Sequence, residues 1–167
     1  MDSLSAFDQE SKPSEAEAIH ITLVALARKE GISMEGASYR LTVGRAPYDG
    51  EVMLGGRTVL VETVRTFGDV VRISEGKVER CHKHGTVLVV SKHEDRKATK
   101  PELVMVFWPG GAGYKQLVEY EQERRRAGKV YRGKAETDRP YMVYPLDLIK
   151  GLACVVIEVD SRLSYTV

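Results

Sequence analysis

Cysteine is scarce in this chain of 167 residues: Cys81 and Cys154 are the only two, and neither sits in a CxxC pair. Their scarcity argues against a disulfide framework and a cysteine-built zinc site, and it sets a reducing cytoplasm as the expected compartment. Long apolar runs are missing as well. No stretch approaches the roughly 20 residues of a membrane span, so no membrane partner is expected. The opening MDSLSAFDQESKPSEAEA is acidic and lacks the basic-then-apolar order of a secretory signal. Aromatic residues are few, and histidine occurs only four times. Net charge is just +1, but it is uneven. Residues 1–17 hold five acids against one lysine, which leaves the remainder mildly basic and suited to an anionic ligand.

What is present reads as a single α+β domain over residues 18–167, preceded by a disordered acidic tail over 1–17. Apolar, β-branched runs of strand length recur between glycine-rich turns. They include Ala18–Leu26, Tyr39–Val43, Arg57–Arg65, Val70–Ile73, Lys83–Ser91, Leu103–Trp108, Tyr141–Tyr144 and Leu152–Val159. GRAPYDG at Gly44–Gly50 reads as a turn, and the polar Arg132–Arg139 as a loop. Tyr114–Ala127 carries helical spacing, with three arginines late and Gly128 as its stop. Eight or nine strands against one or two helices predict mostly antiparallel sheets.

Two of the strand-like runs share a feature. AIHITLVAL contains His20-Ile21-Thr22 and KHGTVLVV contains His84-Gly85-Thr86. On a strand of period two, each histidine and its threonine point to the same face. Phosphodiester cleavage needs a base, an acid and donors for the non-bridging oxygens. Two imidazoles with a pKa of about 6.5 can divide the proton transfers at neutral pH, and hydroxyls beside them can hold the phosphate.

This pattern resembles the two-histidine phosphoesterases, whose paired His-x-Thr/Ser motifs lie on strands flanking a cleft. The likeness covers residues 18–91. It implies a bilobal, pseudo-symmetric fold around a central cleft, His20 and His84 as the acid–base pair, and Thr22 and Thr86 as phosphate ligands. It further implies no metal and no cofactor. The expected activity is that of a hydrolase in RNA processing: a metal-independent phosphodiesterase acting on RNA ends, 2',3'-cyclic phosphates or 2',5'-linked oligonucleotides.

Other readings stand beside it. A non-catalytic RNA- or protein-binding module, of viral or phage type, would use the basic end at Arg124–Arg126 with Lys129, Arg132 and Lys134. Tyr48 and Tyr114 lie near turns, where an aromatic ring can stack on a base. His82 and His93 read as solvated, and a zinc site of His82, His84 and His93 lacks a partner carboxylate. PGGAG at 109–113 is a plain turn, without the GK[ST] of a phosphate loop. Nothing in the sequence implies an obligate protein partner.

Overall fold

A strand covered on both faces reads as a continuous apolar run, and two neighbouring strands carry one, Val87–Val90 and Leu103–Phe107. Val87 and Val89 of β5 (Val87–Lys92) and Val104 and Val106 of β6 (Leu103–Phe107) join one buried cluster. Leu88, Val90, Met105 and Phe107, which alternate with them, join another on the opposite face. The computed structural model describes residues 6–42, 48–133 and 139–159. Within them β5 and β6 lie in a six-stranded sheet of order β1-β2-β3-β5-β6-β8, where β1 is Ser38–Leu41, β2 Gly50–Leu54, β3 Arg57–Thr66 and β8 Val155–Glu158. All pairings are antiparallel except β3 with β5. A parallel pair needs a crossover, which β4 (Val70–Ser74) and α2 (Lys77–Lys83) supply. β4 itself pairs with β7 (Tyr141–Pro145) in a separate two-stranded sheet.

One helix covers the first face and three cover the second. α1 (Ala6–Glu30) packs Ala18, Ile19, Leu23, Leu26 and Ala27 against Val52, Val61, Val87 and Val106. α2, α3 (Ala112–Arg126) and α4 (Leu146–Leu152) pack on the other side with β4 and β7. The expected α+β class with mostly antiparallel strands is the class observed. The sheets are unequal, and no repeated pair of lobes is seen among the described residues.

The expected strand over Ala18–Leu26 is instead the second half of α1. The buried positions explain it. Ser14-Glu15, Ala18-Ile19, Thr22-Leu23 and Leu26-Ala27 are adjacent pairs spaced four apart, which is a helical stripe and not an alternation. β-branched Ile19, Ile21 and Thr22 favour a strand only locally; the alanines and the sheet beneath them decide for the helix. α1 also begins at Ala6, inside the segment expected to be a disordered tail. Lys77–Cys81 is α2, not an extended lead-in to β5. The outer part of the GRAPYDG turn and residues 134–138, Lys134 included, lie outside the described residues.

The helical stripe separates neighbours that a strand would place differently. Leu23 is buried at 2% exposure and Val24 is half-buried. Leu23→Ala is expected to cost about 2–5 kcal/mol, and Val24→Ala less than about 1 kcal/mol because alanine's helix propensity offsets the lost contact. Equal losses for the two variants in urea unfolding would contradict the helix.

Candidate functional site

β2 starts opposite Val61, and β3 runs on past that point to Thr66, paired from Val61 onward with β5. The strand boundary leaves a gap beside β3, and Asp49 stands in it. Its Oδ2 accepts hydrogen bonds from the Thr63 N–H at 2.7 Å and the Thr63 hydroxyl at 2.8 Å, replacing the ladder bond β2 would have made. Gly50 follows because nothing larger fits: a Cβ there would lie 2.6 Å from Ile19 Cδ1 and 2.9 Å from the Arg40 carbonyl oxygen. α1, pressed on this glycine, thus helps to fix the Asp49 backbone.

Glu62 lies beside Asp49. It is in register with Leu88, so it faces the α2 side of the sheet. Only 7% of it is exposed. Burial, then the hydrogen bond and charge of Asp49, push its carboxyl up to about 8. The Lys77 ammonium, 3.5 Å from Glu62 Oε1, offsets this only in part. Two carboxyl groups therefore share one partly dry place, and Glu62 holds its proton more tightly for it.

Lys77 is the first residue of α2, after Gly76 at φ 80°, and no side chain of that turn caps the helix. The cap comes from α3. Glu121, fully buried, accepts the Val78 N–H, the Tyr144 hydroxyl at 3.1 Å and Arg125 Nη2 at 2.9 Å. Arg125 also reaches Glu75 and Glu79, each at 3.3 Å. Burial raises the Glu121 carboxyl, and the network around it ties the start of α2 to α3 and β7.

Two cavities meet at the Asp49–Glu62 pair. The larger, of about 1200 Å3, is walled by Tyr48, Arg80, Cys81, His84, Thr86 and Arg139. The smaller, of about 430 Å3, shares Asp49, Glu62, Ser74 and Lys77 with it and adds Phe67, Arg72 and Arg96. Cationic side chains thus line both spaces around the acid pair, together with one further acid in each, Glu75 in the larger and Glu15 in the smaller. Burial pushes the Cys81 thiol up to about 12, so it is no nucleophile. Among the described residues no three His, Cys, Asp or Glu side chains gather as a metal cage. A cation between Asp49 and Glu62 would complete its coordination with water and phosphate oxygens, as Mg²⁺ commonly does.

The residues singled out in the sequence divide. His84, Thr86 and Tyr48 line the larger cavity. His20 does not; it is half-buried on α1, its ring edge-on to Tyr39 at 5.7 Å. α1 and α2 lie on opposite faces of the sheet, so His20 and His84 do not face one cleft from two strands. Thr22 is buried and its hydroxyl donates to the Ala18 carbonyl at 2.8 Å, the usual occupation of a helical threonine. Tyr114 is no stacking ring on the surface: it is fully buried, and its hydroxyl donates to the Thr86 carbonyl at 2.9 Å. His93 is buried too, held between the Ala98 carbonyl and Ser91 Oγ at 2.9 Å each. Arg125, expected at a basic surface, is occupied by its three carboxylates.

Asp49, Glu62 and Lys77 were not singled out in the sequence. One signal was available: Glu62 interrupts the apolar alternation of RTVLVETVR. No protein-family model matches the chain, and no curated protein matches it either. No described helix is long and apolar enough to cross a membrane.

Glu62 also sets a pH dependence. Its carboxyl titrates near 4.5 when unfolded and at about 8 when folded, so the folded state binds more protons between those values. Stability from this group falls as pH rises through that window. His93, lowered to about 4 chiefly by burial, acts oppositely, its contribution falling as pH drops from 6.5 towards 4. Above pH 6.5 the His93 effect fades and the Glu62 effect dominates. Unfolding free energy is expected to fall by about 2 kcal/mol between pH 6.5 and 8, and Glu62→Gln to flatten that slope. An unchanged slope in the variant would remove Glu62 as its source.

Proposed function

We propose that the Asp49–Glu62 pair holds a divalent cation and that the chain is a phosphodiesterase acting on nucleic acid. One observation carries this reading: two carboxyl groups within hydrogen-bonding reach, one of them buried, set in a cavity whose wall also carries Lys77, Arg80, His84 and Arg139, with Glu75 as a third acid. Such a pair is relieved by a proton or by a metal ion. The surrounding cations select an anionic substrate, and a phosphate bound among them would supply the oxygens that complete the cation's coordination. The phosphodiester chemistry expected from the sequence is kept. The metal-free histidine pair is not, because its two members belong to opposite layers.

Each residue has a task under this reading. Asp49, anchored by Thr63, and Glu62 would hold the cation, which when bound would supply Lewis-acid charge for hydrolysis. Lys77 neutralises charge on the phosphoryl group beside Glu62. His84, on the cavity wall, would give a proton to the leaving oxygen. Two cysteines that form no disulfide are consistent with a reducing, cytoplasmic setting.

Hydrolysis of bis(p-nitrophenyl) phosphate and of RNA and DNA oligonucleotides tests the reading. Activity is expected with Mg²⁺ or Mn²⁺ and is expected to vanish in EDTA. Asp49→Asn and Glu62→Gln should each lower kcat/KM by at least about 100-fold, and Lys77→Ala by about 10-fold. His20→Ala should stay within about twofold of the parent. Undiminished cleavage in EDTA, or by Asp49→Asn, would overturn it; if cleavage then also required both His20 and His84, the metal-free mechanism would be restored.

A further inference from the structure

The larger cavity does not end at the carboxylate pair. Asp49, Glu62, Ser74 and Lys77 form part of the wall of both cavities, so a ligand whose phosphate sits at Lys77 has space on either side. The smaller space, about 430 Å3, lies at the low end of ordinary ligand pockets. It is large enough for about one nucleotide unit and too small for a duplex.

Its walls have the chemistry of such a unit. Phe67, just beyond the end of β3, is 40% exposed, a large apolar ring left at the surface where most such rings are buried. The Arg65 guanidinium lies 5.0 Å from its centroid, and the His93 ring is tilted against it at 6.3 Å. Arg72 on β4 faces the same space from across the gap. Its guanidinium rests 5.5 Å over the Tyr141 ring, and it makes no ion pair among the described residues. An exposed ring and a guanidinium held on another ring, at one small opening, match the two needs of a nucleotide: a surface for the base and a charge for the phosphate.

We infer that the substrate is a single strand that runs through both cavities, with the reacting phosphate at Asp49, Glu62 and Lys77 and the adjoining nucleotide held by Phe67 and Arg72. This rests on the reading above and narrows it. A mononucleotide cyclic phosphate would fill one side only and leave Phe67 and Arg72 without a ligand. A duplex would be kept from the pair by the walls of the smaller space.

The test measures binding apart from catalysis. Fluorescein-labelled hexanucleotides of uridine and of thymidine, and a duplex of equal length, are titrated by fluorescence anisotropy in EDTA, where no turnover is expected. Both single strands should bind at least tenfold more tightly than the duplex. A difference between the uridine and thymidine arms would tell which sugar is preferred. Phe67→Ala and Arg72→Ala should each weaken single-strand binding by roughly 5- to 20-fold, in keeping with the loss of one stacked base or one charge. Phe67→Tyr, which keeps the ring, should restore it.

Duplex binding as tight as single-strand binding, or hexamer affinity indifferent to both alanine variants, would overturn the inference. Hydrolysis of the small diester alongside that indifference would leave the catalytic reading standing without it. Single-strand binding that depends on Phe67 and Arg72, with no hydrolysis under any cation, would do the reverse: the strand site would remain and the chemistry would fall.

Discussion

The carboxyl of Glu62 is out of water and beside a second acid, and the surrounding fold can be read as what holds it there. A glutamate on the middle of a well-paired strand is ordinarily solvated or replaced. Here β3 is paired with β5 on one edge while β2 begins only at its far half, so the carboxyl opens on a gap where the ladder changes partner. Asp49 closes the gap by lending its side chain to Thr63. The acid that raises Glu62 is thus the same group that mends the sheet. Removing Asp49 would alter both the charge and the local pairing, whereas removing Glu62 would alter the charge alone.

Two layers keep this arrangement in place from opposite sides. α1 presses Ile19 on Gly50, leaving no space for a side chain and holding the backbone next to Asp49. On the other face Glu121 caps α2 from a neighbouring helix and brings Lys77 to Glu62. A fully buried carboxylate is a costly way to stabilise a fold, since desolvation consumes most of the attraction. Its value lies in geometry. Val78, Tyr144 and Arg125 all donate to it from different elements, so α2 has one seat and not several.

How far the sequence disclosed this depends on which period a segment obeys. β5 and β6 were legible because short runs of Val, Leu, Met and Phe with no polar break have few alternatives in a sequence whose apolar runs are all far below membrane-spanning length. α3 was legible from its stripe and its late arginines. Ala18–Leu26 was not, because β-branched residues in its centre favour a strand over a short window, and only the pairs at 14-15, 18-19, 22-23 and 26-27 reveal the helix. That one segment moved His20 to the other side of the sheet and took Thr22 into a backbone hydrogen bond. His84, Thr86 and Tyr48 remained at the cavity, since their neighbourhood follows from β5 and the turn before β2. Asp49 and Glu62 are thirteen residues apart and meet only because β2 and β3 pair with Gly50 opposite Val61. Such a register is a long-range property, and local patterns do not state it.

The same register explains why acids and bases gather without collapsing into plain ion pairs. Lys77 approaches Glu62 but does not return its carboxyl to the usual range, because Asp49 lies on the other side and burial outweighs both. Arg72 is engaged by an aromatic face and not by a carboxylate. A centre that neutralised itself internally would have nothing to gain from a ligand. This one keeps an acid pair short of positive charge at its middle and Arg72 on an aromatic face at its rim. Under the proposed reading a cation at the pair with a phosphate bridging to the rim would satisfy both at once, and a phosphodiester strand would bring one phosphate to the centre and another to Arg72.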